Sequence, residues 1–216
     1  MVALSGVRKI FQAKARVVAL DSIKLGVRCG ELFGLLGPNG AGKTTTISVC
    51  TTRTLPTAGE VLIAGIDVRK EPARARRWMG VVPQYRTLDR SCTVWENLYY
   101  HCLYYGFKRA VARSRTQELL ERFRLTERAK TFPGELSGGL AQRLEIARAI
   151  AHRPEVLFLD EPTASLDPQT RLAIWDIIRE LRAGGLTVVL TTHNMEEADA
   201  LCERVAIIDH GKILVC

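Results

Sequence analysis

The residues best suited to chemistry in this chain gather at Gly37-Pro38-Asn39-Gly40-Ala41-Gly42-Lys43-Thr44, a glycine-rich octapeptide ending in a cation and a hydroxyl. Glycines let the backbone bend back on itself, so that successive amide hydrogens point inward and surround a polyphosphate. Lys43 would reach the terminal phosphates as a point charge, and Thr44 would place its hydroxyl on magnesium. Thr44 and the residues after it, Thr45 to Val49, can open a helix whose free amides face the same anion. The bland alternative is a glycine turn with a solvated lysine. An apolar run before the loop, Leu32-Phe33-Gly34-Leu35-Leu36, and a helix-competent run after it speak against that alternative.

A second group sits at the end of another apolar run. Val156-Leu157-Phe158-Leu159 suits a central parallel strand covered on both faces, and it ends in Asp160-Glu161. At the carboxyl end of such a strand, beside the loop, Asp160 can hold magnesium through water. Glu161, one step further out, can orient or deprotonate an attacking water. His193 follows Thr191-Thr192 at the end of the neighbouring strand and is read as a contact to the terminal phosphate, although a lone histidine there is often structural. Gln84 carries both a donor and an acceptor and can ligate magnesium and touch the water, or it is a turn glutamine. Ser137-Gly138-Gly139 has the composition of a helix N-cap with exposed amides, a second anion site far along the chain from the first.

The elements that must position these groups follow from pattern. Residues 4–10 and 16–27 read as antiparallel strands of a small sheet around Phe11, with Asp21 beginning a turn into residues 23–27. Buried strands are expected at 32–36, 79–82, 156–159 and 187–192, with a further strand at 60–64 and a closing hairpin at 204–216 that turns at His210-Gly211. Helices are expected after the loop and at 73–78, 140–151, 172–181 and 195–202. Thr93-Val94-Trp95-Glu96 is a capping box, and the helix it starts carries Trp95, Leu98, Tyr99, Cys102 and Tyr105 as a packing stripe. A helix over 109–123 carries Ala112, Thr116, Leu119, Leu120 and Phe123 on one face, with arginines elsewhere. The result is one α/β domain over 1–216, with a helical subdomain inserted at 94–136.

Composition narrows the surroundings more than the function. The formal charge is +8, with basic residues concentrated at 69–77 and 108–130. That balance suits nucleic acid, an anionic membrane face or a nucleotide, and does not choose among them. The six cysteines form no close pairs, so neither a zinc site nor a disulfide framework is indicated. No stretch is apolar for the length a bilayer demands, and the first residues lack the apolar block of a secretory signal, so the chain is expected on the cytosolic side.

Taken together, these motifs resemble the ATP-binding cassette (ABC) ATPases that drive ABC transporters, and the resemblance spans essentially the whole chain. Residues 37–45 look like the Walker A motif, Gln84 in Val82-Pro83-Gln84 like the Q-loop, and Leu136-Ser137-Gly138-Gly139-Leu140-Ala141-Gln142-Arg143 like the family signature. Residues 156–160 correspond to Walker B, Glu161 to the catalytic glutamate, Ser165-Leu166-Asp167 to the D-loop and His193 to the switch histidine. The resemblance implies a P-loop NTPase with a RecA-like parallel sheet, an antiparallel β subdomain and the helical insertion, using ATP and Mg2+. It also implies a head-to-tail dimer, homo- or heteromeric, in which ATP lies between the loop of one subunit and Ser137 to Gly139 of the other. Phe11 stands where the family places an adenine-stacking aromatic, with phenylalanine in place of the usual tyrosine. Ala141 in the signature and the wording around Ala164 are mild departures.

Phe33-Gly34-Leu35-Leu36-Gly37, Thr44-Thr45-Thr46 and Thr93-Val94-Trp95-Glu96-Asn97-Leu98 are most similar to the ATPases of drug, antibiotic, sodium and lipo-oligosaccharide exporters. Those ATPases work with separate membrane-spanning permeases or with a permease region fused to the same chain; these residues hold no such region, so a separate transmembrane permease is expected, with the chain at a peripheral place on the cytoplasmic face of the membrane. The chain ends directly after the final hairpin, where many relatives continue with a helical tail, as in a short subunit or an incomplete chain. A soluble ABC ATPase acting on nucleic acid or ribosomes is the competing reading, disfavoured because tandem cassettes, zinc segments and coiled-coil insertions are missing from these residues; no nucleic-acid partner is expected. A non-hydrolysing regulatory module is disfavoured by the intact Lys43, Asp160, Glu161 and His193.

Overall fold

The computed structural model describes residues 1–12 and 16–216. Its centre is a sheet whose strands alternate their apolar side chains between two faces. Leu32–Leu36 (β3), Met79–Val82 (β6), Val156–Asp160 (β7), Thr187–Thr192 (β8) and Arg204–Asp209 (β9) run parallel, and Lys212–Val215 (β10) closes the edge antiparallel to β9, in the order β10-β9-β3-β8-β7-β6. Every residue of β7 and β8 is buried, as covering both faces requires. Val156 and Phe158 point to one side, Leu157 and Leu159 to the other, and each pair joins a different apolar cluster.

One cluster is completed by a second, antiparallel sheet. Val2–Gln12 (β1) lies between Arg16–Val27 (β2) and Ala58–Ile63 (β4), and Ile66–Asp67 (β5) adds an edge. Its inward Val2, Leu4, Val7, Leu20 and Ile23 pack with Phe33, Phe158 and the helix Lys43–Cys50 (α1). Pro72–Arg76 (α2) is the short helix that leads into β6. The other cluster collects the helices Val94–Tyr104 (α3), Arg109–Arg122 (α4), Gly138–Ala149 (α5) and Pro168–Ala183 (α6) against Leu157, Leu159 and Leu190. Met195–Leu201 (α7) follows β8. No described helix is long and apolar enough to cross a membrane.

Most expected elements are present, with three corrections. Asp21 starts no turn: β2 continues through Ser22 at φ 58°, and the pairing steps from Lys9↔Leu20 to Val7↔Ile23, a bulge that absorbs the extra residue. Helix α6 begins at Pro168 rather than near 172, because Asp167 caps it by accepting from the Thr170 amide at 3.0 Å and proline suits the first helical position. The capping box at α3 forms in both directions: the Thr93 hydroxyl accepts from the Glu96 amide, and the Glu96 carboxylate accepts from the Thr93 amide at 2.8 Å.

The third correction concerns the arginines of α4, which are not all on the solvent face. Arg115 is only 7% exposed. Its Nε donates to the Ala151 carbonyl at 3.1 Å and its Nη2 to the Ile150 carbonyl at 3.0 Å, while Glu118 pairs with Nη1. These carbonyls lie at the end of α5, where a helix has no intrahelical donors left and welcomes a cation. Arg115 thus fastens α4 to the C-terminus of α5. We expect Arg115→Ala to lower the unfolding free energy by about 2–3 kcal/mol, the scale of hydrogen bonds to a charged group whose loss strands buried acceptors. Urea denaturation checks this; a change below about 0.5 kcal/mol, the level of an ordinary surface substitution, refutes the role.

Candidate active site

The loop after β3 is shaped by two glycines that admit nothing larger. A Cβ on Gly37 would lie 2.2 Å from the Ile208 carbonyl oxygen of β9, and one on Gly42 would lie 2.9 Å from the Ala19 carbonyl oxygen, at φ 113°. Gly42 is also the N-cap of α1. Without a side chain it makes no cap hydrogen bond, so the first-turn amides of α1 are left to face the loop.

Lys43, 4% exposed, has its ammonium fully engaged. Its Nζ donates to Gly37 O at 2.8 Å and Pro38 O at 3.0 Å, and lies 3.1 Å from Glu161 Oε1. Three protons therefore meet three acceptors.

Asp160 and Glu161, at and just beyond the end of β7, are both organised by Thr191 on the neighbouring β8. The Thr191 hydroxyl donates to Asp160 Oδ1 at 2.6 Å, and Thr44 Oγ1 donates to the same oxygen at 3.2 Å. The Glu161 amide reaches both the Thr191 carbonyl and the Thr191 hydroxyl at 3.1 Å. At φ 50° Glu161 occupies the left-handed region, a turn that side-chain-bearing residues adopt only where surroundings hold it. Its other carboxylate oxygen lies 3.1 Å from His193 Nδ1. One carboxylate thus spans Lys43 and His193.

A cleft of about 510 Å³ opens beside the loop, with Asn39, Lys43, Thr44, Thr45, Gln84 and Glu161 on its wall; Asp160 lies behind that wall, and His193 lines a smaller cavity of about 50 Å³ that shares Glu161 with the cleft. Ser137, Gly138 and Gly139 do not line it. Ser137 caps α5, accepting from the Leu140 amide at 3.4 Å. Phe11 is 41% exposed and does not line the cleft either; it pairs in register with Val17, which does, and Lys9 Nζ lies 4.8 Å from its ring centroid. Sequence reasoning missed Thr191, whose only signal is a hydroxyl closing an apolar strand. It also missed Val17, Val18, His210 and Gly211 on the cleft wall, which no spacing announces.

The oxygen donors Thr44 Oγ1, Asp160 and the Gln84 amide are few, hard and close to the phosphate loop, which fits a magnesium ion that keeps water and phosphate oxygens in its shell. Among the described residues no cluster of three or more His, Cys, Asp or Glu side chains forms a metal site by itself.

A parallel sheet with a phosphate loop after β3, a histidine after the adjoining β8 and an acid pair at the end of β7 beyond it defines a P-loop nucleotide-binding protein. Residues 20–164 match the family model described as ABC transporter. The chain belongs to this ABC family. It is 45% identical over 213 residues to the doxorubicin resistance ATP-binding protein DrrA of Mycobacterium tuberculosis, covering 99% of this chain and 64% of that protein. It is 46% identical over 195 residues to the Nod factor export ATP-binding protein I of Burkholderia pseudomallei, covering 90% of this chain and 64% of that protein. The chain therefore spans just under two thirds of the length of these relatives. An ATP-binding cassette solved as a dimer in a post-hydrolysis state with ADP and Pi superposes with a TM-score of 0.90 at 31% identity, covering 99% of this chain and 97% of that one.

Burial pushes the Asp160 carboxyl above its ordinary value near 3.8, and the hydrogen bonds from Thr191 and Thr44 offset this only in part. A carboxyl raised on folding favours the folded state when protonated. That contribution is present below the unfolded value and lost as pH rises through the folded one. Asp160→Asn is accordingly expected to raise stability at pH 7 by about 1 kcal/mol in magnesium-free buffer, with the gain shrinking towards pH 4. Chemical denaturation at the two pH values decides; a variant less stable than the parent at pH 7 contradicts the electrostatic argument.

Proposed function

We propose that the chain is the ATP-hydrolysing subunit of an exporter, driving a separate transmembrane permease from the cytoplasmic face of the membrane. The observation that carries the chemistry is the Glu161 carboxylate, held between Lys43 and His193 at 3.1 Å from each on the wall of the phosphate-loop cleft. The relatives' printed roles in doxorubicin resistance and Nod factor export support the transport direction. The match to a dimeric cassette supports a dimer of nucleotide-binding subunits.

On this reading ATP lies with its phosphates on loop amides that have no backbone partner among the described residues, those of Gly40 and of residues 42–45 included, and its base towards Phe11 and β2. Thr44, Asp160 and Gln84 hold magnesium, which when bound neutralises charge on the phosphate oxygens. Lys43 stabilises the charge of the transferred group, and Glu161 accepts the proton of the water that attacks the γ-phosphorus as ADP departs. His193 fixes the Glu161 carboxylate and touches the terminal phosphate. Ser137, Gly138 and Gly139 contribute to the partner's nucleotide rather than to their own, consistent with their position off the cleft wall. Residues 94–136 serve as a helical subdomain whose movement conveys closure to the permease.

Two measurements test this. Glu161→Gln is expected to keep ATP binding while slowing phosphate release by about 10²–10⁴-fold, the range for losing a general base; undiminished turnover sinks the assignment. In light scattering, that variant should double its mass with ATP, and adding Ser137→Arg should hold it monomeric. Dimerisation untouched by the arginine removes Ser137 from the interface.

A further inference from the structure

Glu197 is a buried carboxylate that the proposed chemistry does not use. It is 2% exposed on α7, and among the described residues no Lys, Arg or His forms an ion pair with it. Ionised carboxylates are rarely this buried without a compensating partner. Here a single oxygen, Oε1, accepts from the Thr163 hydroxyl at 2.5 Å and from the Trp175 indole N–H at 2.9 Å.

Thr163 and the start of α7 connect Glu197 to the two sides of the Glu161–His193 contact. Thr163 lies two residues beyond Glu161, and Trp175 anchors the arrangement to α6. Glu197 itself sits on a helix capped by Asn194, the residue after His193, whose side chain accepts from the amides of Glu196 and Glu197. The left-handed turn at Glu161 is held upstream by Thr191 and downstream, through Thr163, by Glu197. A cavity of about 50 Å³ is lined by Glu161, Thr163, Arg171, His193 and Glu197 together, so the carboxylate and the two site residues share one wall.

We propose that Glu197 is a positioning residue: through Thr163 on one side and the capped start of α7 on the other, it sets the 3.1 Å contact between His193 and Glu161. This rests on the ATPase reading above for its kinetic consequence. Stability alone gives little reason for the arrangement, since an apolar side chain of similar volume serves a core at least as well as an unpaired acid. Lys43 and the loop amides do not touch Glu197, so nucleotide affinity is insulated from it.

The test is steady-state ATP hydrolysis with Glu197→Ala, Glu197→Gln and Thr163→Val. We expect Glu197→Ala and Thr163→Val to lower kcat by about 10–100-fold, the scale of a misplacement near 1 Å, with KM for ATP within about threefold. Glu197→Gln keeps Oε1 as an acceptor and should recover most of the rate. In a His193→Ala background the further loss from Glu197→Ala should be under about twofold, because residues acting as a unit are non-additive. An unchanged kcat, or an equal loss without His193, overturns the proposal. A crystal structure of Glu197→Ala decides independently of turnover. The His193–Glu161 distance should open beyond about 3.5 Å, past hydrogen-bonding range, with the sheet unchanged. A contact kept at 3.1 Å refutes the positioning role, whereas absence of hydrolysis by the parent protein refutes only the ATPase reading.

Discussion

A loop that must keep its amides free for an anion cannot be stabilised by using them, so it has to be gripped from outside. Here the grip is backbone on backbone. Gly37 lies against the Ile208 carbonyl and donates its own amide to Thr192 O, while Gly42 lies against the Ala19 carbonyl. The turn between β9 and β10 completes the clasp: Gly211 donates to Ala41 O and accepts from the Asp21 amide, tying the loop to both sheets at once. Much of the architecture follows from that clasp. The parallel sheet needs β9 beside β3, and the antiparallel sheet needs β2 close enough for a methyl group at position 42 to be excluded.

The same confinement shapes the electrostatics. Lys43 is an ammonium removed from water and satisfied by two carbonyls and a carboxylate, an arrangement in which breaking one partner is far more costly than its net stabilisation suggests. A phosphate oxygen that binds Lys43 has to take the place of one of these three acceptors, so the ammonium exchanges a protein partner for the nucleotide without returning to water. Asp160 bears the opposite strain, its charge disfavoured by burial until hydroxyls, and on the proposed reading a metal, compensate it.

What the sequence made legible were features whose meaning is local. The octapeptide at 37–44 and the apolar runs at 156–159 and 187–192 carry their geometry in spacing and hydropathy, and Thr93 with Glu96 forms the reciprocal cap that their three-residue separation implies. The unforeseen features depend on what lies opposite. Ser22 bulges because β1 has its own irregularity at Gly6, a cross-strand match that neither segment declares alone. Arg115 buries its head because two helix-end carbonyls from residues 150 and 151 arrive beside it. Asp167-Pro168 is different. It is a complete helix-start signal, and reading only the apolar periodicity of α6 passed over it.

The division of the proposed site across two surfaces follows from the same topology. Loop, acid pair and histidine all sit at the carboxyl ends of neighbouring strands, the place where a parallel sheet gathers chemistry. Ser137 to Gly139 begin a helix packed on the other apolar cluster, and they stay off the cleft wall however tightly the chain folds. A helix start with an exposed serine and a long 3.4 Å cap still has amide capacity to offer an anion. If both anion sites serve one triphosphate, as proposed, the second must come from another subunit. Closure is then driven by the nucleotide, because each subunit supplies what its partner's cleft does not contain.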